Sequence, residues 1–256
     1  MQNNFENIIG ITIIRNESEI INDTLNRMSK FCRGIVVVND SSTDDTKKIC
    51  ENHHSVIAVV DNVIWSEERI KEQGRLRNLA LKKAKEYDPD WLFYFDADER
   101  PEIDLKLLET TKFDAIALRL FDFYITLMDV SMDYRSRTKL GPEYRDILMF
   151  FRNEKSIFFN KSNREPILPK SFIKIKTGFV KHYGKAISVK EWEETCEYYD
   201  KHMRKQYGDK WAKRKGKAIH TKSDFGLPLI TWEEKDEKGV SLNLIEKRYN
   251  KIKKNR

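Results

Sequence analysis

Asp96 and Asp98 stand two residues apart, directly after the strongly apolar run W-L-F-Y-F at 91–95. In extended chain, positions i and i+2 project to the same side. Two carboxylates so placed repel each other unless a cation or several hydrogen-bond donors neutralise them. Mg2+ and Mn2+ are hard ions that take one or two carboxylates together with substrate phosphates. The pair therefore predicts a divalent-metal site that carries a diphosphate, against the plainer reading of a solvated acidic turn. Two more polar clusters follow apolar runs in the same way: Arg15-Asn16-Glu17 and Asn39-Asp40. Taken singly, each reads as well as turn or helix-capping chemistry.

These clusters need elements to bring them together. The runs I-I-G-I-T-I-I at 8–14, G-I-V-V-V at 34–38, 56–60 and 91–95 have the short, β-branched or aromatic character of buried strands. Helical periodicity lies between them: Ile20, Ile21, Leu25 and Met28, then a helix over about 44–52 with Thr43 or Asp44 as N-cap, then 67–86. A further helix is expected over 104–110 and a strand over 115–120. Alternation of this kind means βαβ units, hence an α/β fold with a mostly parallel sheet flanked by helices. In such sheets ligands bind at the carboxyl ends of the strands, where all three polar clusters fall. After Phe121 the pattern changes to short strands at 147–152, 157–159 and 172–175, a smaller mixed sheet. Trp192, Cys196, Tyr199 and Met203 return to helical spacing, and 241–252 reads as a basic helix.

The chain has 256 residues, 39% hydrophobic and 35% charged, enough for one large domain or one domain with an appendage. No apolar stretch approaches the ~20 residues that span a bilayer. Residues 1–7 lack the pattern of a signal peptide. The expected location is the cytoplasm, or the inner face of a membrane as a peripheral protein. Cys32, Cys50 and Cys196 are scattered and odd in number, which speaks against a disulfide scaffold or a zinc knuckle and for buried thiols. The net charge of +7 is uneven: residues 190–256 hold 18 Lys and Arg against 12 Asp and Glu, the first 189 hold 30 against 29.

The run I-V-V-V-N-D-S-S-T-D-D-T resembles the D-D-x-S-x-D-x-T signature of family 2 glycosyltransferases of the GT-A fold. L-F-Y-F-D-A-D-E-R-P resembles their D-x-D motif, the first strand with R-N-E resembles their opening, and Gly74-Arg75-Leu76-Arg77-Asn78 resembles their G-x-x-R-N helix start. Together these cover residues 8–120 in the family's order. The resemblance implies that Asp40 accepts a hydrogen bond from the nucleobase, with Asn39 standing where the family has an Asp. It implies that Ile13, Arg15 and Glu17 line the base and ribose pocket, and that Arg75 or Arg77 approaches ribose or phosphate. Asp96 would lie near the ribose and the metal's outer shell, and Asp98 would bind the metal, Mn2+ or Mg2+.

Two later runs carry the rest of the resemblance. In Asn163-Arg164-Glu165-Pro166, Glu165 is the candidate general base, with Asp146 and Glu143 as rivals. In Gly178-Phe179-Val180-Lys181-His182-Tyr183-Gly184, His182 resembles the histidine that completes the metal site; a lone His beside Tyr is also commonly a packed or hydrogen-bonded one. The implied organisation is a GT-A glycosyltransferase domain over 1–189, with a nucleotide-sugar half at 1–120 and an acceptor half at 121–189. A basic helical C-terminal extension occupies 190–256. The implied activity is inverting transfer from a nucleoside-diphosphate sugar, UDP by family frequency, to a glycan, lipid-linked or surface-polymer acceptor.

Rival readings are a haloacid-dehalogenase-like phosphatase, a nucleotidyltransferase, and a basic protein that binds nucleic acid or a membrane surface. The first expects Thr or Val where Arg100 stands and a motif near the N-terminus. The second lacks support from the N-D-S-S-T-D run, and the third leaves the paired carboxylates unexplained. The basic stretches 203–217 and 246–256 read as solvated surface, as a contact for anionic membrane, or as a contact for a phosphate-bearing acceptor. No nucleic-acid motif accompanies them.

Overall fold

The computed structural model describes residues 7–63, 65–109, 112–160 and 164–244. The chain divides into two compact units, the first drawn from Met1–Leu118 and Ile147–Gly178, the second from Arg119–Asp146 and Phe179–Arg256. The halves and extension expected from the sequence are assignments of role, whereas these units are groupings by proximity.

The first unit opens with β1 (Ile8–Ile14), α1 (Ile21–Met28), β2 (Gly34–Asp40), α2 (Thr46–Asn52), β3 (Val56–Asn62), α3 (Arg69–Lys85) and β4 (Trp91–Tyr94). β1 pairs parallel with both β2 and β4, and β2 pairs parallel with β3. The expected α/β alternation is the one observed. β1, β2 and β4 are buried almost throughout, which is why their sequences are continuous apolar runs and not alternating ones. α3 places Leu76, Ala80 and Ala84 one turn apart on the sheet, against Ile9 and Ile11, Val36 and Val38, and Leu92 and Tyr94. Lys82, Lys83 and Lys85 in its last turn suit the negative end of the helix dipole. Asp88, at φ 48°, and Pro89 then turn the chain into β4.

β5 (Glu99–Glu102), β6 (Ala115–Phe123), β7 (Leu140–Arg152), the pair β8 (Phe158–Phe159) with β9 (Pro166–Ile167), β10 (Lys174–His182), α4 (Val189–His202) and β11 (Val240–Ser241) follow. The large sheet has the order β3-β2-β1-β4-β7-β6-β10-β5, with β11 beside β7 at Glu143 and Tyr144. β4 and β7 are antiparallel.

Four expectations are corrected here. Residues 99–102, given no element of their own by the sequence, form a strand; β7 begins at Leu140 and not near 147; β10 runs over Lys174–His182 and not 172–175. The helix expected from 241 is preceded by strand pairing at Val240–Ser241, and its residues from 245 lie outside the described ones, as does the basic run 246–256. The segment at 104–110 is a 3-10 helix, Leu105–Glu109. The three cysteines are buried, free thiols. Among the described residues no helix is long and apolar enough to cross a membrane.

Candidate active site

The carboxyl ends of β1, β2 and β3 form one polar corner of the first unit. Arg15 donates from Nη1 to the carbonyls of Asp40 (2.9 Å) and Ser41 (3.0 Å), tying the two strand ends. Asn16, at φ 54°, takes the left-handed turn that Asn tolerates, and its Oδ1 accepts from the Thr43 amide at 2.8 Å. The Glu17 amide donates to Thr46 Oγ1 (2.7 Å), while its carbonyl accepts from the Ile20 and Ile21 amides at the start of α1. Asp44 accepts from the amides of Thr46 and Ser18 (3.0 and 3.2 Å). Burial pushes its carboxyl up, but these bonds outweigh that and leave it below its ordinary value. No side chain of the Arg15-Asn16-Glu17 cluster caps α1 or α2; the cluster's bonds tie the β1 end to the loop after β2, and only the Glu17 carbonyl meets the start of α1.

Asp40 is almost wholly buried. Its Oδ1 accepts from Asn62 Nδ2 at 2.8 Å, and its Oδ2 is ion-paired with Arg69, itself buried. Arg69 and Arg15 each bring a guanidinium carbon to 3.9 Å from the centre of the Trp65 ring, a cation–π arrangement that stacks the ring on the guanidinium paired with Asp40. Asn39 donates to Asp61 Oδ1 at 2.9 Å and accepts from the Ser42 amide. Arg75 is clamped by Glu72 and donates to Asn62 Oδ1 at 2.5 Å, so it joins this corner through α3. Ile13, half-buried, packs against the core below it.

Asp96 and Asp98 follow β4, the strand on the other side of β1. Tyr94 donates to Asp96 Oδ1 at 2.8 Å, and Arg77 donates from Nε to the Tyr94 oxygen at 3.0 Å. Burial of that phenol, with the Asp96 charge beside it, pushes it above its ordinary value, so it remains a donor. Arg164 bonds Asp96 Oδ2 from Nε (3.1 Å), Glu99 from Nη2 (2.5 Å) and the Leu148 carbonyl from Nη1 (3.1 Å). Glu99 in turn accepts from the Asp96 amide at 3.0 Å. The Ala97 carbonyl accepts from Thr24 Oγ1 (2.6 Å) and from Arg100, which is held by Asp23. The loop that presents Asp98 is thereby fixed on both sides. Asp98 itself is half-buried. Among the described residues no three His, Cys, Asp or Glu side chains gather as a ready metal cage.

Glu165 accepts from the Leu148 amide through Oε1 at 3.0 Å, and its Oε2 lies 3.5 Å from Lys174. Asn163, beside it in sequence, lies outside the described residues. The rival Glu143 belongs to the second unit, buried and bonded by Ser223, and burial raises its carboxyl above the ordinary value. Asp146 is in that unit too. So is His182, whose Nδ1 meets Asp122 Oδ1 at 2.5 Å. That carboxylate backing is the support that orients metal-binding imidazoles. Burial would raise the Asp122 carboxyl, but Lys185, Arg145 and His182 outweigh it and hold it well below the carboxylate range.

The structure therefore gathers Arg15, Glu17, Asn39, Asp40 and Arg75 at one group of strand ends. It joins Arg77 to Asp96 through Tyr94, and places Glu165 next to the Arg164 that holds Asp96. Sequence reasoning missed Asn62, Trp65, Arg69, Glu99 and the role of Arg164. The strand-end rule applied to β3 would have found the first two; Arg164 gave no local signal.

A family model described as glycosyl transferase family 2 matches residues 11–165. Two uncharacterized proteins, of Mycobacterium bovis and Mycobacterium tuberculosis, are each 33% identical to this chain over 117 residues. The match covers 43% of this chain and 28% of theirs, so it spans little more than a quarter of those relatives. Among solved structures, glucosyl-3-phosphoglycerate synthase from M. tuberculosis, in complex with Mg2+ and uridine diphosphate, aligns with TM-score 0.34 at 17% identity, covering 44% of this chain and 43% of the synthase. HddC from Yersinia pseudotuberculosis aligns with TM-score 0.37 at 12% identity, covering 75% of this chain and 99% of HddC. The family match takes in both the Asp40 corner and the Asp96–Asp98 loop, and by it the chain belongs to glycosyl transferase family 2.

Proposed function

We propose that the chain is an inverting hexosyltransferase that uses a divalent metal and moves a sugar from a nucleoside-diphosphate donor, a UDP-sugar, to a hydroxyl of a glycan, lipid-linked or surface-polymer acceptor. The observation that carries this reading is the placement of Asp40 and the Asp96–Asp98 loop at the carboxyl ends of β2 and β4, the two strands that flank β1. Family membership supports it independently.

In this reading Asp40 meets the base. Asn62 and Arg69 fix its carboxylate, and each oxygen keeps a lone pair for a base N–H. The base reaches it by displacing the Arg69–Trp65 cover, with Ile13, Arg15, Glu17 and Asn39 around it. Of the two arginines on α3, Arg75, half-exposed and bonded to Asn62 of the Asp40 corner, is the one that approaches ribose or phosphate, while Arg77 is buried and supports Asp96 through Tyr94. A bound Mn2+ or Mg2+ would supply charge stabilisation for the departing diphosphate. The residues fit such an ion when it arrives on the diphosphate, because it then takes one or two carboxylates and completes its shell with phosphate oxygens and water. Asp98 is the ligand in this scheme, and Asp96, already paired with Arg164, serves the ribose. The metal role of His182 rests on the resemblance and on its Asp122 backing. Glu165, anchored by the Leu148 amide, takes the proton of the acceptor hydroxyl during attack.

The test is a thermal-shift panel of nucleotide sugars with and without Mn2+, followed by transfer assays. A UDP-sugar at a hundred times its Kd is expected to raise the melting midpoint by about 5 °C or more, only with metal present. Asp98→Asn is expected to lose that shift and all turnover, and Glu165→Gln to keep the shift but lose transfer. No shift with any nucleotide sugar overturns the donor assignment, and full transfer by Glu165→Gln overturns that base.

A further inference from the structure

The second unit contains a cleft of about 400 Å3 with a strongly cationic lining. Lys213, Arg214, Lys217 and Lys222 face it, with Asp224 as their one acidic companion. That carboxylate already pairs through Oδ2 with Arg214 at 2.6 Å and Lys185 at 2.7 Å. Lys217 and Lys222 have no ion-pair partner among the described residues, while Lys213 interacts with the Asp209 carboxylate.

The wall is built and rigid. Trp192, on α4 and almost wholly buried, donates from its indole to the Arg214 carbonyl at 3.2 Å. The Glu193 carboxylate accepts from the Gly216 amide at 2.9 and 3.1 Å, and Gly216 makes the turn at φ 72°. The 3-10 turn Ala212–Arg214, which carries Lys213 and Arg214, and the Gly216 turn before Lys217 are thus tied to α4. The Arg214 guanidinium carbon also lies 4.9 Å from the Trp211 ring centre. His220 packs edge-on to Trp192 at 4.9 Å. Its Nδ1 donates to the Ala218 carbonyl at 2.8 Å. Burial lowers its basicity, which favours the neutral ring, whose Nε2 is an acceptor. An aromatic wall, a neutral acceptor and a cationic rim suit a small molecule with an apolar or hydroxylated body and one highly charged end.

We propose that this cleft is a binding site for a phosphate-bearing ligand. The lysines and Arg214 hold the phosphate oxygens, and Trp192 and His220 flank the organic body. Phosphate, with two charges and three free acceptor oxygens, takes bonds from several of these cations at once, where a carboxylate offers one charge and two oxygens. The site is an open cleft that a small ester or a headgroup can enter. The shared chemistry is the phosphate ester; it arrives either in a free molecule or on a lipid headgroup.

Calorimetric titration with glycerol 3-phosphate and flotation with phosphatidic acid vesicles separate the two sources. We expect saturable binding in at least one of them, weakened about tenfold or more in Lys217→Ala/Lys222→Ala and falling as salt rises. Binding of glycerol 3-phosphate assigns a free ester, and binding of vesicles alone assigns a headgroup; both support the site. Absence of both, or binding unchanged in the double variant, overturns it. Unaltered UDP and Mn2+ stabilisation of the double variant checks that it is folded. If no nucleotide stabilises either protein, their equal urea midpoints serve instead, and the phosphate site is judged apart from the transferase reading.

Discussion

Replacing Arg164 by Met removes the cation that holds the acidic loop and leaves a chain of similar length and no charge. The Glu99 side chain is 2% exposed, that of Arg164 20% and that of Asp96 37%. Deleting one partner of a fully buried pair costs about 3–5 kcal/mol. Arg164 is one-fifth exposed, so water partly replaces it, and about 2–3 kcal/mol is the expected loss from the Glu99 side. The more exposed Asp96 contact adds at most about 0.5 kcal/mol, and the lost bond to the Leu148 carbonyl about 1 kcal/mol. Because Asp96 and Glu99 then repel without the shared cation, the destabilisation falls in the range of about 3–4 kcal/mol, or roughly 6–15 °C in melting midpoint for a chain of this size. Urea unfolding measures it, with the m-value checked for constancy. A double-mutant cycle with Glu99→Gln isolates the pair: the double variant is expected to recover about 1 kcal/mol or more relative to additivity. If Arg164→Met lies within about 0.5 kcal/mol of wild type, or the cycle is additive, the three-way ion pair does not hold this loop.

Two further outcomes follow from the geometry. Gly178→Ala is expected to destabilise by about 2 kcal/mol or more, because the residue sits at φ 76° and a Cβ there would meet the Glu102 carbonyl at 2.8 Å; urea midpoints equal to wild type would refute this. Asp122→Asn probes linkage: the folded carboxyl is held well below the ordinary 3.8, so its contribution is complete above that pH and is lost as pH falls through the folded value. The stability gap between wild type and variant is therefore expected to be constant near neutrality and to close below pH about 3.8, and a gap that stays constant down to pH 2 would count against the ion cluster.

β1, β2 and β4 were legible because burial on both faces leaves an unbroken apolar signature, and α3 because Leu76, Ala80 and Ala84 recur at one face. β5 was not, since Glu99, Arg100 and Pro101 look like a turn. Their burial depends on Asp23 and Arg164, which no local window contains. The start of β7 was hidden the same way: Gly141, Pro142 and Glu143 read as loop, and Glu143 becomes a strand residue beside Val240 only through a partner far along the chain. At β10 the lysines at 174, 176 and 181 interrupt the apolar pattern, although Val180 is fully buried.

The functional corner shows the same limit at closer range. Strand-end reasoning located Arg15, Asp40 and Asp96 because their positions follow from local pattern alone. For Asp96 and Asp98 the expected repulsion called for a cation or several hydrogen-bond donors, and a metal was the expected cation. The chain meets half of that requirement itself: Arg164, 68 residues away in sequence, neutralises Asp96, and Tyr94 donates to its other oxygen. Repulsion within the pair is therefore not what calls for a metal. The case for the ion passes to Asp98, to the charge that a diphosphate would bring, and to family membership, and it is the Asp98→Asn variant, not an Asp96 one, that decides it.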